Sequence, residues 1–187
     1  MPNLHSEHPK RGDNSEEYQF ICHNKVYKSL DKRHYLWATH LWNMFDFAAD
    51  GRNVGGDPGK NHKGLVTFDR KIKKDSFYLY KAYWSDEPFV HLSGHRFEDR
   101  SEEQTDVYVM TNQKDFKVYQ DGKEIYSVEN GKEKMYRIKV TLPGESDIVV
   151  KSGKLSDSIH IRHVDEPNPS YKLQVKSNNG SWEKKKK

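Results

Sequence analysis

The chain has 187 residues, room for one or two small domains. Its formal net charge of +4, from 32 basic against 28 acidic residues, is too even to call for a nucleic-acid partner. One cysteine, Cys22, excludes an internal disulfide framework, and no apolar run is long enough to span a membrane.

The opening segment, MPNLHSEHPKRGDNSEE, is polar and lacks the apolar core of a secretory signal, which favours a cytoplasmic setting. It reads as loop up to Ser15. There a capping hydroxyl followed by Glu16 and Glu17 marks a helix entry. Tyr18, Ile21, Cys22, Val26, Tyr27 and Leu30 recur at helical spacing and are expected to form the buried face, with Cys22 a small core residue. Lys28, Lys32 and Arg33 suit the negative end of the helix dipole.

From Tyr35 to Phe47 the chain is nearly continuously apolar, with Trp37, Leu41, Trp42, Met44 and Phe45. Continuous rather than alternating hydrophobicity predicts a strand covered on both faces, as in a parallel sheet, with Trp37 in its core. Ala48 to Lys63, with Gly51, Gly55, Gly56, Pro58 and Gly59, reads as a loop too long for a plain connector and therefore functional. Gly64 to Phe68 is a short extended piece. Phe77, Tyr80, Lys81 and Trp84 predict a helix over Lys74 to Trp84. Helix, strand, loop and helix make a fraction of a parallel α/β barrel, too little to close one.

After Asp86 the pattern changes to short β-rich runs: Phe89–Leu92, Val107–Thr111, Phe116–Tyr119, Glu124–Val128, Met135–Leu142, Ile148–Lys151 and Ile159–Val164. Asp121-Gly122 is a hairpin signal, because both turn positions of a type I′ turn need positive φ. So many short strands in so short a stretch predict an antiparallel β-sandwich of immunoglobulin type. Asp165–Ser170, with Pro167 and Pro169, reads as a linker, and Lys184–Lys187 as a solvated tail. Asn179-Gly180-Ser181 is a formal glycosylation triplet of a kind common by chance.

Trp42-Asn43-Met44-Phe45-Asp46-Phe47 resembles the W-N-x-x-D-F segment that ends the last barrel strand in glycoside hydrolase family 2. The stretches Asp50 to Asn53, Gly55 to Asn61 and Gly64 to Arg70 continue the likeness, which looks closest to the β-galactosidase branch and runs from His5 to about Tyr171. The resemblance implies an α+β chain in three parts. Residues 1–85 would be the end of a (β/α)8 barrel, 86–165 an immunoglobulin-like domain, and 166–187 a linker and basic tail. It implies retaining hydrolysis of terminal β-galactosides by the whole enzyme, with no cofactor. The partners implied are the sugar and the preceding part of the barrel, with no nucleic acid or membrane.

The resemblance also places Trp42, Asn43, Asp46, Asn61 and Lys63 at the sugar site. Trp42 would be the aromatic platform under the ring; read from residues alone, it is a core tryptophan of a strand covered on both faces, and the motif resemblance reverses that reading. Retaining hydrolysis needs two carboxyls about 5 Å apart, and Asp46 has no convincing partner. The resemblance puts both catalytic carboxylates upstream of Met1, leaves Asp46 to orient its neighbours, and makes the chain inactive alone. Asn61-His62-Lys63 matches the N-x-K pattern with which family 2 glucuronidases grip a uronate carboxylate, so a β-glucuronidase or galacturonidase is the alternative. A non-catalytic carbohydrate-binding or interaction module is another, if Tyr108, Tyr119, Tyr126 and Tyr136 form an exposed row. His5 with His8, and His160 with His163, lack a third ligand at zinc spacing, so no metal site is read.

Overall fold

The computed structural model describes residues 3–54 and 57–173. The Gly55-Gly56 step, the Asn179 triplet and the lysine tail lie outside them. The fold is α+β and mostly sheet, with two α-helices among the described residues. It divides into two units: the chain through Phe77, rejoined from Ser170, and Tyr78–Pro169.

In the first unit, α1 spans Glu16–Asp31, and its N-cap Ser15 side chain accepts a hydrogen bond from the Tyr18 amide, as the entry signal predicts. The buried face is not the expected apolar stripe. Phe20, fully buried, centres it with Glu16, Gln19 and Asn24, while Val26 is half exposed and Cys22 half buried. Glu16 and Gln19 face inward to specific hydrogen-bond partners. Glu16 Oε1, for example, accepts the Asp75 amide at 2.9 Å at the start of α2 (Asp75–Trp84), where a carboxylate suits the positive helix end.

Tyr35–Phe47 is not the strand expected. Tyr35–Trp42 is irregular, and Trp37, assigned to a core, is 95% exposed. A strand persists only where neighbours satisfy its amides and carbonyls, and among the described residues none pairs with Tyr35–Trp42. Further on, Phe45 bridges Val66 in parallel, with Val66 N donating to Met44 O at 2.9 Å and Asp46 N to Val66 O at 2.9 Å. The expected loop is instead a hairpin. β1 (Phe47–Val54) pairs with β2 (Asp57–Asn61) antiparallel, from Phe47 opposite Asn61 to Val54 opposite Asp57. Glycine makes it possible: Gly51 and Gly59 sit at φ 72° and 74°, in the left-handed region that side chains resist.

The second unit holds two sheets. One has order β4-β10-β9-β6-β7, the other β3-β5-β8. Their strands are β3 Val90–Leu92, β4 Asp99–Arg100, β5 Gln104–Thr111, β6 Phe116–Gln120, β7 Lys123–Val128, β8 Met135–Thr141, β9 Glu145–Ser152 and β10 Leu155–His163. All pairings are antiparallel except the short β4–β10 contact. Alternate residues point inward, and Leu92, Val109, Val118, Val140, Ile148 and Ile161 from both sheets join one buried apolar cluster. Asp121 (φ 51°) and Gly122 (φ 82°) turn β6 into β7 as expected. The four tyrosines do not make an exposed row. Tyr108 is buried, and Tyr126 and Tyr136 lean on the core, which removes the observation a carbohydrate-binding module needed.

Candidate functional site

Asp46 is the centre of a buried polar cluster in the first unit. The residue is 2% exposed. Its Oδ1 accepts from Lys74 Nζ at 2.7 Å and from the Gly64 amide at 2.9 Å. Its Oδ2 lies 3.7 Å from His62 Nδ1, and the far ring nitrogen of His62 contacts Asp57 Oδ2 at 2.5 Å. Its backbone oxygen accepts from Arg70 at 2.7 Å. Burial pushes the Asp46 carboxyl up, but the adjacent His62 ring and the Lys74 ammonium outweigh it and hold the group below the usual carboxylate range. Lys74 itself is 1% exposed. Two buried opposite charges at this distance compensate each other's loss of water; either alone would be costly.

This cluster fixes the chain that carries the expected sugar-binding residues. A Cβ at Gly64 would stand 2.1 Å from Asp46 N and 2.2 Å from Phe45 C, so only glycine lets the two segments approach. Gln19 of α1 donates to the carbonyls of Lys63 and Gly64, each at 3.2 Å. Asn61, 2% exposed, uses its side-chain oxygen to accept the Lys63 amide at 3.0 Å. Its carboxamide thus shapes the turn, while the Lys63 residue is exposed.

Trp42 is 69% exposed and stands edge-on to Phe47, ring centroids 6.0 Å apart. The Trp42–Asn43 peptide is cis. Asn43 accepts from the Leu65 amide through its carbonyl at 3.2 Å, while its side-chain Oδ1 is buried and accepts no hydrogen bond among the described residues. Asn43, Asp46 and Asn61 are therefore drawn together by the pairing of residues 43–47 with 61–66, with Trp42 and Lys63 as exposed neighbours in sequence. Trp42 and Lys63 are exposed residues attached to chain that the buried cluster holds in place. Asp46, ionised and ringed by donors, is unsuited to donating a proton.

Sequence reading missed the residues that build this floor: His62, Asp57, Lys74, Arg70 and Gln19. One signal was present. A carboxylate inside an apolar run needs a counter-charge, but composition alone did not say which of many lysines supplies it.

No family model matches the chain. Over 153 residues it is 36% identical to a β-glucuronidase of Bacteroides fragilis, an alignment covering 81% of this chain and 20% of that protein. Its homologues are glycosidases of the β-glucuronidase and β-galactosidase kind. Among solved structures, an FMN-binding β-glucuronidase of Faecalibacterium prausnitzii L2-6 superposes with a TM-score of 0.86 at 39% identity, over 92% of this chain and 27% of that one. A Bacteroides fragilis protein provisionally named a β-galactosidase gives 0.75 at 38%, over 82% and 24%. Bacteroides uniformis β-glucuronidase 2, covalently bound to a cyclophellitol-6-carboxylate aziridine, gives 0.76 at 25%, over 88% and 21%. The chain spans about a fifth of the length of the first curated relative. The expected likeness to β-galactosidases holds at the level of glycosidases, and the uronidase alternative is better supported.

Proposed function

We propose that the chain is part of a family 2 β-glucuronidase and supplies the wall of the sugar site that reads the uronate. The observation that carries this is the 36% identity to a β-glucuronidase across 81% of the chain. The chemistry of the site agrees with it. A glucuronide differs from a galactoside by a carboxylate at C6 and by the configuration at C4, and an exposed ammonium suits that carboxylate, because charge-assisted hydrogen bonds are the strong ones. Lys63 is such an ammonium, on a turn that Asn61 closes. The exposed indole of Trp42 offers an apolar face for the sugar's C–H groups.

In this reading the first unit is the closing segment of a (β/α)8 barrel. Its apolar Tyr35–Phe45 run becomes a strand when neighbouring strands flank it, and the second unit is an immunoglobulin-like domain. Asp46 positions the 61–64 turn and takes no part in bond cleavage. The nucleophile and the acid/base, about 5 Å apart in a retaining glycosidase, come from elsewhere in the whole enzyme, so this chain alone is inactive.

The test is substrate preference in the whole enzyme. An aryl β-glucuronide should be cleaved faster than the matching β-galactoside. Lys63→Ala should lower kcat/KM on the glucuronide by roughly 10- to 100-fold, the worth of a hydrogen bond to a charged group, and barely affect the galactoside. Equal losses on both sugars, or faster cleavage of the galactoside by the unaltered enzyme, would refute the uronate reading.

A further inference from the structure

The second unit contains a histidine–histidine–aspartate cluster that the sugar site does not use. His91 is in β3, His95 in the turn that follows, and Asp157 in β10, so pairing of distant segments brings them together. His95 Nε2 lies 2.8 Å from Asp157 Oδ2, His91 Nδ1 lies 3.5 Å from the same oxygen, and the three donor atoms fall within 4.8 Å of one another. We propose that His91, His95 and Asp157 form a binding site for a divalent transition metal of the zinc class.

The donor set selects the metal. Two imidazoles with one carboxylate suit zinc, cobalt or nickel, whereas calcium and magnesium demand oxygen ligands. Bonds of about 2.0–2.2 Å to one ion put ligand atoms roughly 3–3.5 Å apart, close to the 3.5 and 2.8 Å that separate His91 and His95 from Asp157 Oδ2. The set is also held from outside. The Leu92 amide donates to Asp157 Oδ2 at 2.7 Å, and the Ser158 amide to Oδ1 at 3.0 Å. The buried ring of His91 is stacked on Tyr78, centroids 3.6 Å apart and planes 13° apart. Such outer contacts fix ligand orientation at metal sites.

One ligand must move. The rings of His91 and His95 are nearly parallel, 18° apart at 5.1 Å, and an ion cannot lie in both planes. His95, with its side chain 40% exposed, is the ring that turns, and its exposure gives the ion an entry path and room for water ligands.

Titration of the metal-stripped full chain with Zn2+ by calorimetry, and with Co2+ by visible absorption, tests this. One equivalent should bind, the Co2+ complex should show d–d bands, and the melting temperature should rise. His95→Ala, which alters an exposed side chain and should keep the native circular dichroism, should weaken binding at least tenfold. Asp157→Asn should do the same. His160→Ala, at a surface histidine paired with Asp147, should leave binding unchanged. If the three groups merely share a proton, Zn2+ will not bind; absence of binding, or binding unaffected by His95→Ala, overturns the proposal.

Discussion

Lys74 Nζ meets Asp46 Oδ1 at 2.7 Å with the two side chains 1% and 3% exposed, so the cation that ends one segment neutralises the anion that ends another. The pair spans 28 positions of sequence and ties the start of α2 to the chain just before β1. Its consequences for stability are direct.

Lys74→Met leaves Asp46 as a buried charge without its ammonium. The first unit should lose about 3–5 kcal/mol, the usual cost of removing one partner of a buried pair. Urea unfolding followed by tryptophan fluorescence measures it. Adding Asp46→Asn should recover part of the loss, because the stranded charge is gone. A Lys74→Met chain as stable as the parent would show that the pair contributes nothing.

Acid should weaken the same unit. The Asp46 carboxyl titrates below its ordinary value in the fold, whereas in the unfolded chain it titrates near 3.9, as a model aspartate does. Its contribution is therefore complete above that unfolded value and lost as pH falls through the folded one. Unfolding free energy measured from pH 6 down to pH 3 should fall more steeply for the parent than for Asp46→Asn. Parallel curves would refute the assignment.

Gly64→Ala should be disruptive, since the added methyl would meet backbone of Phe45 and Asp46 near 2 Å. Overpacking costs typically about 1–3 kcal/mol, occasionally more. Gly144→Ala is the control, because nothing lies within 4 Å of its Cβ position, and its stability should stay within about 0.5 kcal/mol of the parent. Comparison of midpoints in one denaturant series decides it.

Tyr78–Pro169, with its own apolar cluster, should fold when expressed alone and melt cooperatively. In the full chain, trypsin should cut first near Lys32 and Arg33, which are exposed where α1 gives way to irregular backbone. Early cleavage inside β5–β10 would contradict this ordering.

The sequence by itself determined what depends on near neighbours. The Ser15 cap, the two helices, the Asp121-Gly122 turn and strands β3 and β5–β10 were legible because periodicity, capping and positive φ act within a few residues, whereas the two-residue β4 was not. It also pointed to the stretch from Trp42 to Lys63, through a motif resemblance. Tertiary structure decided everything that needs a distant partner. Tyr35–Trp42 has strand-like composition and no strand, because a ladder requires a second segment beside it. The Gly-rich stretch became β1 and β2, because the pairing of Phe47 with Asn61 is set by register that composition does not display. The inward face of α1 was chosen by what Glu16 and Gln19 reach rather than by hydrophobic period. Lys74 with Asp46, and His91 and His95 with Asp157, meet only after folding, since the free energy of a buried charge or a ligand set depends on distance in space and not on separation along the chain.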